Sequence, residues 1–224
     1  MKRLCVGVLS IGLLSVSVHA ETEITVEVWG ADPSSNGQVD WSAGSAAFTH
    51  ARNIKGGDVD FTPADGYGLT GTLTFYGVAN PASFSGPGGS GSLTGLGSSS
   101  TTSGADTIDG SDGAITRGFS AGANAILTLT GLQEYRNYEL VLYQANYQNG
   151  KLNTLTSNNI GTGSSGNATK SGVDRGNVKI SIAYATGTNT SVSLRIDAEP
   201  GAPFNWFAFS NESGVARGTL VLLR

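Results

Sequence analysis

Two aromatic side chains lie in polar, turn-forming segments of this sequence and have the chemistry to bind a ligand. Trp41 lies between residues 34–38 and residues 42–44, which are rich in Ser, Asn and Gly, and Tyr147 lies within residues 144–150. Sugars stack their apolar ring faces on aromatic side chains, while amides and guanidinium groups bond the sugar hydroxyls. We predict that the two rings form a stacking platform; the alternative is that either ring belongs to the core.

Three polar side chains are the expected partners of the sugar hydroxyls. Asn146 and Asn149 lie beside Tyr147 in the sequence, and Arg175 lies in a further loop, residues 170–176, just ahead of a predicted strand. Binding residues concentrate on loops that a rigid scaffold holds in place. We therefore predict one ligand site, where these loops converge at one end of the scaffold.

Catalytic groups are few, and we assign no catalytic residue. His50 is the one histidine left after a predicted leader is removed, so a Ser-His-Asp arrangement would have to use it, and we expect it to be exposed. Glycoside hydrolysis needs two carboxyl groups about 5 to 10 Å apart. Glu134 and Glu139 flank a predicted corner, but the sequence does not set distances between remote strands.

Asp106, Asp109 and Asp112 form an oxygen-rich turn in the run Asp-Thr-Ile-Asp-Gly-Ser-Asp-Gly. Carboxylate and carbonyl oxygens are the ligands of calcium, so this turn is the predicted site of a structural calcium ion. The spacing differs from that of an EF-hand, and a solvated turn without metal is the alternative. No other cofactor is predicted.

The first twenty residues have the pattern of a secretory signal peptide. Lys2 and Arg3 precede an apolar run at residues 4–16, and Val18-His19-Ala20 ends in a small residue suited to cleavage. The run is shorter than the roughly 20 residues that span a bilayer, so no transmembrane segment is expected in the mature chain. Cleavage would also remove Cys5, the only cysteine, which excludes disulfides and thiolate zinc sites. We expect a secreted or cell-surface protein.

The charge balance excludes nucleic acid as a partner. The chain has 13 Lys and Arg against 17 Asp and Glu, and only 13% of its residues are charged. Binding to phosphates needs a basic face, and the sequence contains no basic cluster.

Period-two alternation predicts an all-β protein. Apolar residues recur at every second position in rows such as Val178 to Tyr184 and Val192 to Ile196, and residues 204–209 are apolar on both faces, as in a central strand. Gly187-Thr188-Asn189 separates two such rows and predicts a hairpin. Residues 81–104, dominated by Gly, Ser and Thr, predict a long mobile loop. We expect one two-sheet β-sandwich, of jelly-roll type, over residues 21–224.

Leu132 lies six residues ahead of Tyr138, which opens a predicted strand. This spacing is typical of a tyrosine corner, in which the phenol bonds to nearby backbone and closes a loop of a Greek-key sandwich. Tyr138 is therefore predicted to be structural.

Three segments carry a family resemblance: Val39-Asp40-Trp41, residues 65–74, and the block at residues 127–143 together with the strand at 204–209. In this order they resemble secreted bacterial β-sandwich proteins similar to galactose-binding-like domains and carbohydrate-binding modules. The resemblance implies a non-catalytic protein that binds carbohydrate or belongs to an extracellular matrix. Two other functions stay open: a structural or adhesive protein that contacts cell-envelope components, and a hydrolase or lyase acting on polysaccharide.

Overall fold

The computed structural model describes the chain at residues 23–28, 48–54, 57–61, 73–78, 83–96, 98–101, 118–122, 124–146, 153–158, 168–171, 176–198 and 204–214. These segments form fifteen strands: β1 (Glu23–Val28), β2 (Phe48–Ile54), β3 (Val59–Phe61), β4 (Leu73–Val78), β5 (Ser83–Phe84), β6 (Ser90–Thr94), β7 (Ser98–Thr101), β8 (Gly118–Gly122), β9 (Asn124–Thr130), β10 (Asn137–Asn146), β11 (Asn153–Asn158), β12 (Ala168–Ser171), β13 (Gly176–Ala185), β14 (Ser191–Ala198) and β15 (Phe204–Ser213). None of the described residues is helical, and among them there is no apolar helix long enough to cross a membrane.

The strands belong to two sheets, as predicted. The larger sheet has the order β1-β13-β10-β15-β2-β4-β3, with β8 beside one end of β15 and β7 beside β8. The smaller sheet has the order β12-β11-β14-β9-β6-β5. Pairing is antiparallel except between β2 and β4, which are parallel.

The alternating rows face one another across a shared core. In β9 and β14 every second residue is buried, and the residues between them are exposed or half-buried. Period-two alternation places all of these buried residues on one face of each sheet, and packing the two faces together removes them from water. The core residues of the smaller sheet and its loops are Phe84, Leu93, Ala125, Leu127, Leu129, Leu132, Val192, Leu194 and Ile196; those of the larger sheet are Ile54, Val78, Tyr138, Leu140, Leu142, Ile180, Ile182, Tyr184, Trp206 and Phe209.

Strand β15 is central, which confirms the prediction from its two apolar faces. It pairs with β10 on one side and with β2 and β8 on the other. A register shift opposite Tyr143 and Gln144 places one additional residue in β15. Trp206, Phe207, Ala208 and Phe209 are all fully buried. Trp206 is therefore a core residue.

The predicted hairpin at residues 187–189 is wrong. The turn exists, since Asn189 N–H donates to the Thr186 carbonyl at 2.9 Å, but the strands that it joins lie in different sheets. Strand β13 belongs to the larger sheet and β14 to the smaller one. Alternation indicates which face of a strand is apolar but not which strand pairs with it. We call residues 186–190 the crossover turn.

The prediction of a long loop at residues 81–104 is also corrected, because the strands β5, β6 and β7 lie within this segment. Strand β6 pairs with β9 and buries Leu93, while Phe84 of β5 also reaches the core. Glycine is required at position 89 of this segment. Its φ is +87°, and a Cβ there would lie 2.2 Å from the His50 ring. Sparse apolar residues at inward positions are enough to anchor this segment to the sheet.

Candidate functional site

Most of the predicted ligand and metal residues lie outside the described residues. This holds for Trp41, Tyr147, Asn149 and Arg175, and for the aspartates at 106, 109 and 112. The platform and the calcium site therefore stay predictions. Among the residues that the structure describes, no group of three or more His, Cys, Asp or Glu side chains is arranged to hold a metal ion.

The backbone of Asn146 is described, and its pairing bears on the predicted site. Asn146 is the last residue of β10 and lies opposite Gly176, the first residue of β13. These two residues are the sequence neighbours of Tyr147 and Arg175. The Tyr147 segment and the Arg175 segment are thus attached to adjacent strands at the same end of the sheet. Strand β2, which follows the Trp41 segment, begins at the opposite end, where Phe48 pairs with Glu212.

The opposite end of β10 carries the tyrosine corner, which is confirmed. Gln133 N–H donates a hydrogen bond to the Tyr138 hydroxyl oxygen at 2.8 Å. The buried Tyr138 ring stacks on Tyr184 of β13, with centroids 5.5 Å apart and planes 21° apart. The phenol therefore closes residues 131–136, which we call the corner loop, against the end of the sandwich.

The corner loop is bonded to the crossover turn along its length. Leu132 N–H donates to the Thr190 carbonyl at 3.0 Å, and Tyr135 N–H donates to the Gly187 carbonyl at 2.6 Å. The buried Thr186 hydroxyl donates to the Gln133 carbonyl at 2.7 Å. Buried backbone groups that are paired in this way resist opening. The hydrogen bonds therefore hold the two loops together in one conformation at this end of the molecule.

Tyr135 lies at the tip of this surface, and the sequence analysis did not select it. Its side chain is 74% exposed. Its φ is +53°, a left-handed conformation that costs a non-glycine residue about 1 to 2 kcal/mol. One signal was present in the sequence: an aromatic residue stands between Glu134 and Arg136 in a loop already fixed by the Leu132 to Tyr138 spacing.

Hydrogen-bonding residues adjoin Tyr135 in the corner loop and the crossover turn. Arg136 Nε donates to Gln133 Oε1 at 3.1 Å, which orients both the guanidinium and the amide. Gln133, Glu134 and Arg136 are all exposed, as is Thr188 of the crossover turn. The corner loop and the crossover turn thus carry an exposed amide, carboxylate, guanidinium and hydroxyl on residues close to Tyr135 in the sequence or through the backbone pairing of the two loops.

The predicted exposure of His50 is wrong, because only 2% of the residue is accessible. His50 lies on the inward face of β2, where Nε2 is 2.9 Å from the Ser90 carbonyl and Nδ1 is 2.9 Å from Thr49 Oγ1. A carbonyl only accepts, so Nε2 carries the proton of the neutral ring. The Thr49 hydroxyl has one proton and lies within bonding distance of both Nδ1 and the Asn211 backbone carbonyl, which is 3.2 Å away. Burial lowers the pKa of His50 from its ordinary value of 6.5, against the opposing effect of its bonds to backbone carbonyls.

The histidine is one member of a chain of hydrogen bonds that crosses between the sheets. The Tyr184 hydroxyl donates to Asn211 Oδ1 at 2.8 Å, and Asn211 Nδ2 donates to Thr49 Oγ1 at 2.8 Å. From Thr49 the chain continues through His50 to the Ser90 carbonyl of β6. Beside it Arg52, also buried, lies 5.0 Å from the centroid of the Phe84 ring. Arg52 Nη2 donates to the Ser85 and Gly89 carbonyls, while Arg52 Nε is buried with no hydrogen-bond partner among the described residues. We interpret this region as structural, because these hydrogen bonds of its side chains are made within the sandwich.

Together the described strands define an all-β, two-sheet sandwich with polar loops at its ends. No protein-family model matches the chain, and no curated protein matches it. The chain is similar to the crystal structure of the ANXUR2 extracellular domain from Arabidopsis thaliana, with 16% identity and a TM-score of 0.48. That similarity covers 74% of this chain and 48% of the other, so the present chain spans about half the length of the structure it matches.

Proposed function

We propose that this protein is an exported β-sandwich that binds carbohydrate and performs no catalysis. The pairing of β10 with β13 carries the proposal. Asn146 lies opposite Gly176, so the chain enters the Tyr147 segment and leaves the Arg175 segment from adjacent positions of one sheet. Attachment of an aromatic and a basic segment to neighbouring strands is what a convergent loop site for a sugar needs.

Export is proposed from the leader pattern of residues 1–20, which carries a basic start, an apolar run and a small-residue cleavage site. N-terminal sequencing of protein recovered outside the cytoplasm tests this, and a chain beginning at Glu21 is expected. Recovery of the uncleaved chain with the cells would contradict it.

Burial disfavours one described carboxylate pair, on β10 and β15, as a catalytic centre. Glu139 and Glu212 are register partners on neighbouring strands, which would suit the short spacing of a retaining glycosidase. Glu212, however, is only 4% exposed, and a glycosidic bond must reach both carboxylates. The pair therefore gives no support to the hydrolase alternative.

A glycan array with the mature protein tests the proposed function. Saturable binding is expected, and Trp41→Ala and Tyr147→Ala should each weaken it by about 1 to 3 kcal/mol without unfolding the protein. Ile126→Ala is a matched control, because Ile126 is an exposed apolar residue on a strand. Absence of any saturable glycan would favour the structural or adhesive function, and cleavage of a polysaccharide panel would favour the enzyme.

A further inference from the structure

Two large hydrophobic side chains are exposed among the described residues: Ile126, at 39%, and Tyr135, at 74%. Ile126 is an outward position of an alternating strand, and single exposed apolar residues of that kind are ordinary. Tyr135 differs because it is far more exposed and lies in a loop whose backbone is fixed by hydrogen bonds. The corner loop is therefore the better candidate for a ligand-binding site.

Folding alone does not account for a tyrosine at this position. A φ of +53° favours glycine or asparagine, and a ring that is mostly in solvent returns little packing energy for the backbone strain. The strain persists because the crossover turn holds the loop from outside, through the bond from Tyr135 N–H to the Gly187 carbonyl. A strained residue with an exposed, pre-positioned ring is typical of a binding surface.

The surroundings of the ring favour a sugar over a protein. Protein interfaces have an apolar centre and bury roughly 800 Å² on each partner, whereas Tyr135 stands alone among Gln133, Glu134, Arg136 and Thr188. One exposed aromatic ring with hydrogen-bonding residues next to it suits a pyranose, which has an apolar C–H face and hydroxyls at its rim. Glu134 and Arg136 have opposite charges, so the loop does not select an anion.

We propose that the corner loop binds a single neutral sugar ring, with Tyr135 as the stacking platform and Gln133 and Arg136 as hydroxyl partners. The ligand class rests on the proposed function, but the corner loop lies at the opposite end of β10 from Asn146, which leads into the predicted Tyr147 segment. Strand β10 is ten residues long, so its two ends lie about 30 Å apart at roughly 3.3 Å per residue. One sugar ring cannot contact both ends.

A glycan array of neutral and acidic oligosaccharides, run on the wild type and on Tyr135→Ala, tests the proposal. A set of neutral glycans should lose about tenfold or more in affinity, the loss of one stacked aromatic contact. Tyr135→Phe keeps the ring and should retain that binding. Ile126→Ala should bind as the wild type does, and unchanged melting temperatures should show that each variant is folded.

Each other outcome overturns the proposal in an identifiable way. If every glycan that binds the wild type binds Tyr135→Ala equally well, the corner loop is not a site, while the proposed function stands. If the glycans lost on substitution are all acidic, the neutral class is wrong. If the wild type binds no glycan at all, both the site and the proposed function fall.

Discussion

The space between the two sheets is filled in two different ways. One region, which we call the aliphatic region, is built from β9, β14 and β13 and contains residues such as Leu127, Leu194 and Ile182. The other, the polar region, lies where β2 and β15 face the β5–β6 segment and contains His50 and Asn211. Both regions are fully buried, so burial alone does not distinguish them.

The two regions hold the sheets together by different forces. Aliphatic contacts are non-directional and stabilise by about 25 cal/mol per Å² of apolar surface removed from water. Each hydrogen bond contributes a net 0.5 to 1.5 kcal/mol, roughly, but a buried polar group that loses its partner is costly. The aliphatic region should therefore respond to changes in volume, and the polar region to loss of a partner and to pH.

Leu194→Ala should have the largest effect. Leu194 is fully buried at the centre of β14, and a large-to-small change there leaves a cavity that costs about 2 to 5 kcal/mol. Urea unfolding measures the loss. Ser191→Ala, an exposed position of the same strand, is the control and should change stability by less than about 0.5 kcal/mol. A loss below about 1 kcal/mol for Leu194→Ala would show that the sheets do not meet there.

Asn211→Leu should have the next largest effect. It removes the group that accepts from the Tyr184 hydroxyl and donates to Thr49, so about 1 to 3 kcal/mol of stability should be lost. Tyr184→Phe removes the other end of the same bond. Because the two residues are in contact, the double variant should lose clearly less than the sum of the single losses. Additive losses would contradict the chain of hydrogen bonds.

Stability should also fall in mild acid because of His50. Its pKa is lowered in the fold by burial, so below pH 6.5 the unfolded chain binds the proton more readily than the folded one. The contribution of the neutral imidazole is therefore complete above about pH 6.5 and is lost as the pH falls through the lowered folded pKa. Arg52 is the charged group that acts on His50, and its charge opposes protonation further.

The measurement is the free energy of unfolding at pH 7.5 and pH 5, for the wild type and His50→Gln. Other groups titrate in both proteins, so the difference between the two pH slopes isolates the histidine. The wild type should lose more stability than the variant over this interval. Equal slopes would mean that His50 is accessible to solvent.

Tyr135→Gly should have the smallest effect on stability. Glycine relieves the left-handed strain at this position but gains entropy in the unfolded chain, so the net change should stay within about 1 kcal/mol in either direction. Thermal unfolding measures it. A loss of about 2 kcal/mol or more would mean that the ring packs against the sandwich and is not available to a ligand.

The aliphatic region could be predicted from the sequence because alternation within one strand reveals its buried face. The corner was predictable for a similar reason, since Leu132 and Tyr138 are close in sequence. The polar region was not, because the partners of His50 and Thr49 lie 40 and 162 residues away. The sequence also does not indicate which sheet each strand joins: β13 and β14, on either side of the crossover turn, belong to different sheets.

The candidate binding residues also differ in whether local sequence predicts them. A polar turn around an aromatic residue is visible in the sequence, and this led to Trp41 and Tyr147. The exposure of Tyr135 depends on bonds between the corner loop and the crossover turn, about 50 residues apart in the chain. No local pattern reports such a contact. The conformation of Tyr135 is likewise set from outside its own segment.

The most direct test of the central claim is a calorimetric titration of wild type and Tyr135→Gly with the neutral glycan that binds the wild type most tightly on the array, together with their melting temperatures. If the corner loop binds a sugar, the variant should melt at or near the wild-type temperature and bind at least about tenfold more weakly. Unchanged affinity, or weakened binding accompanied by a large fall in melting temperature, would contradict the claim.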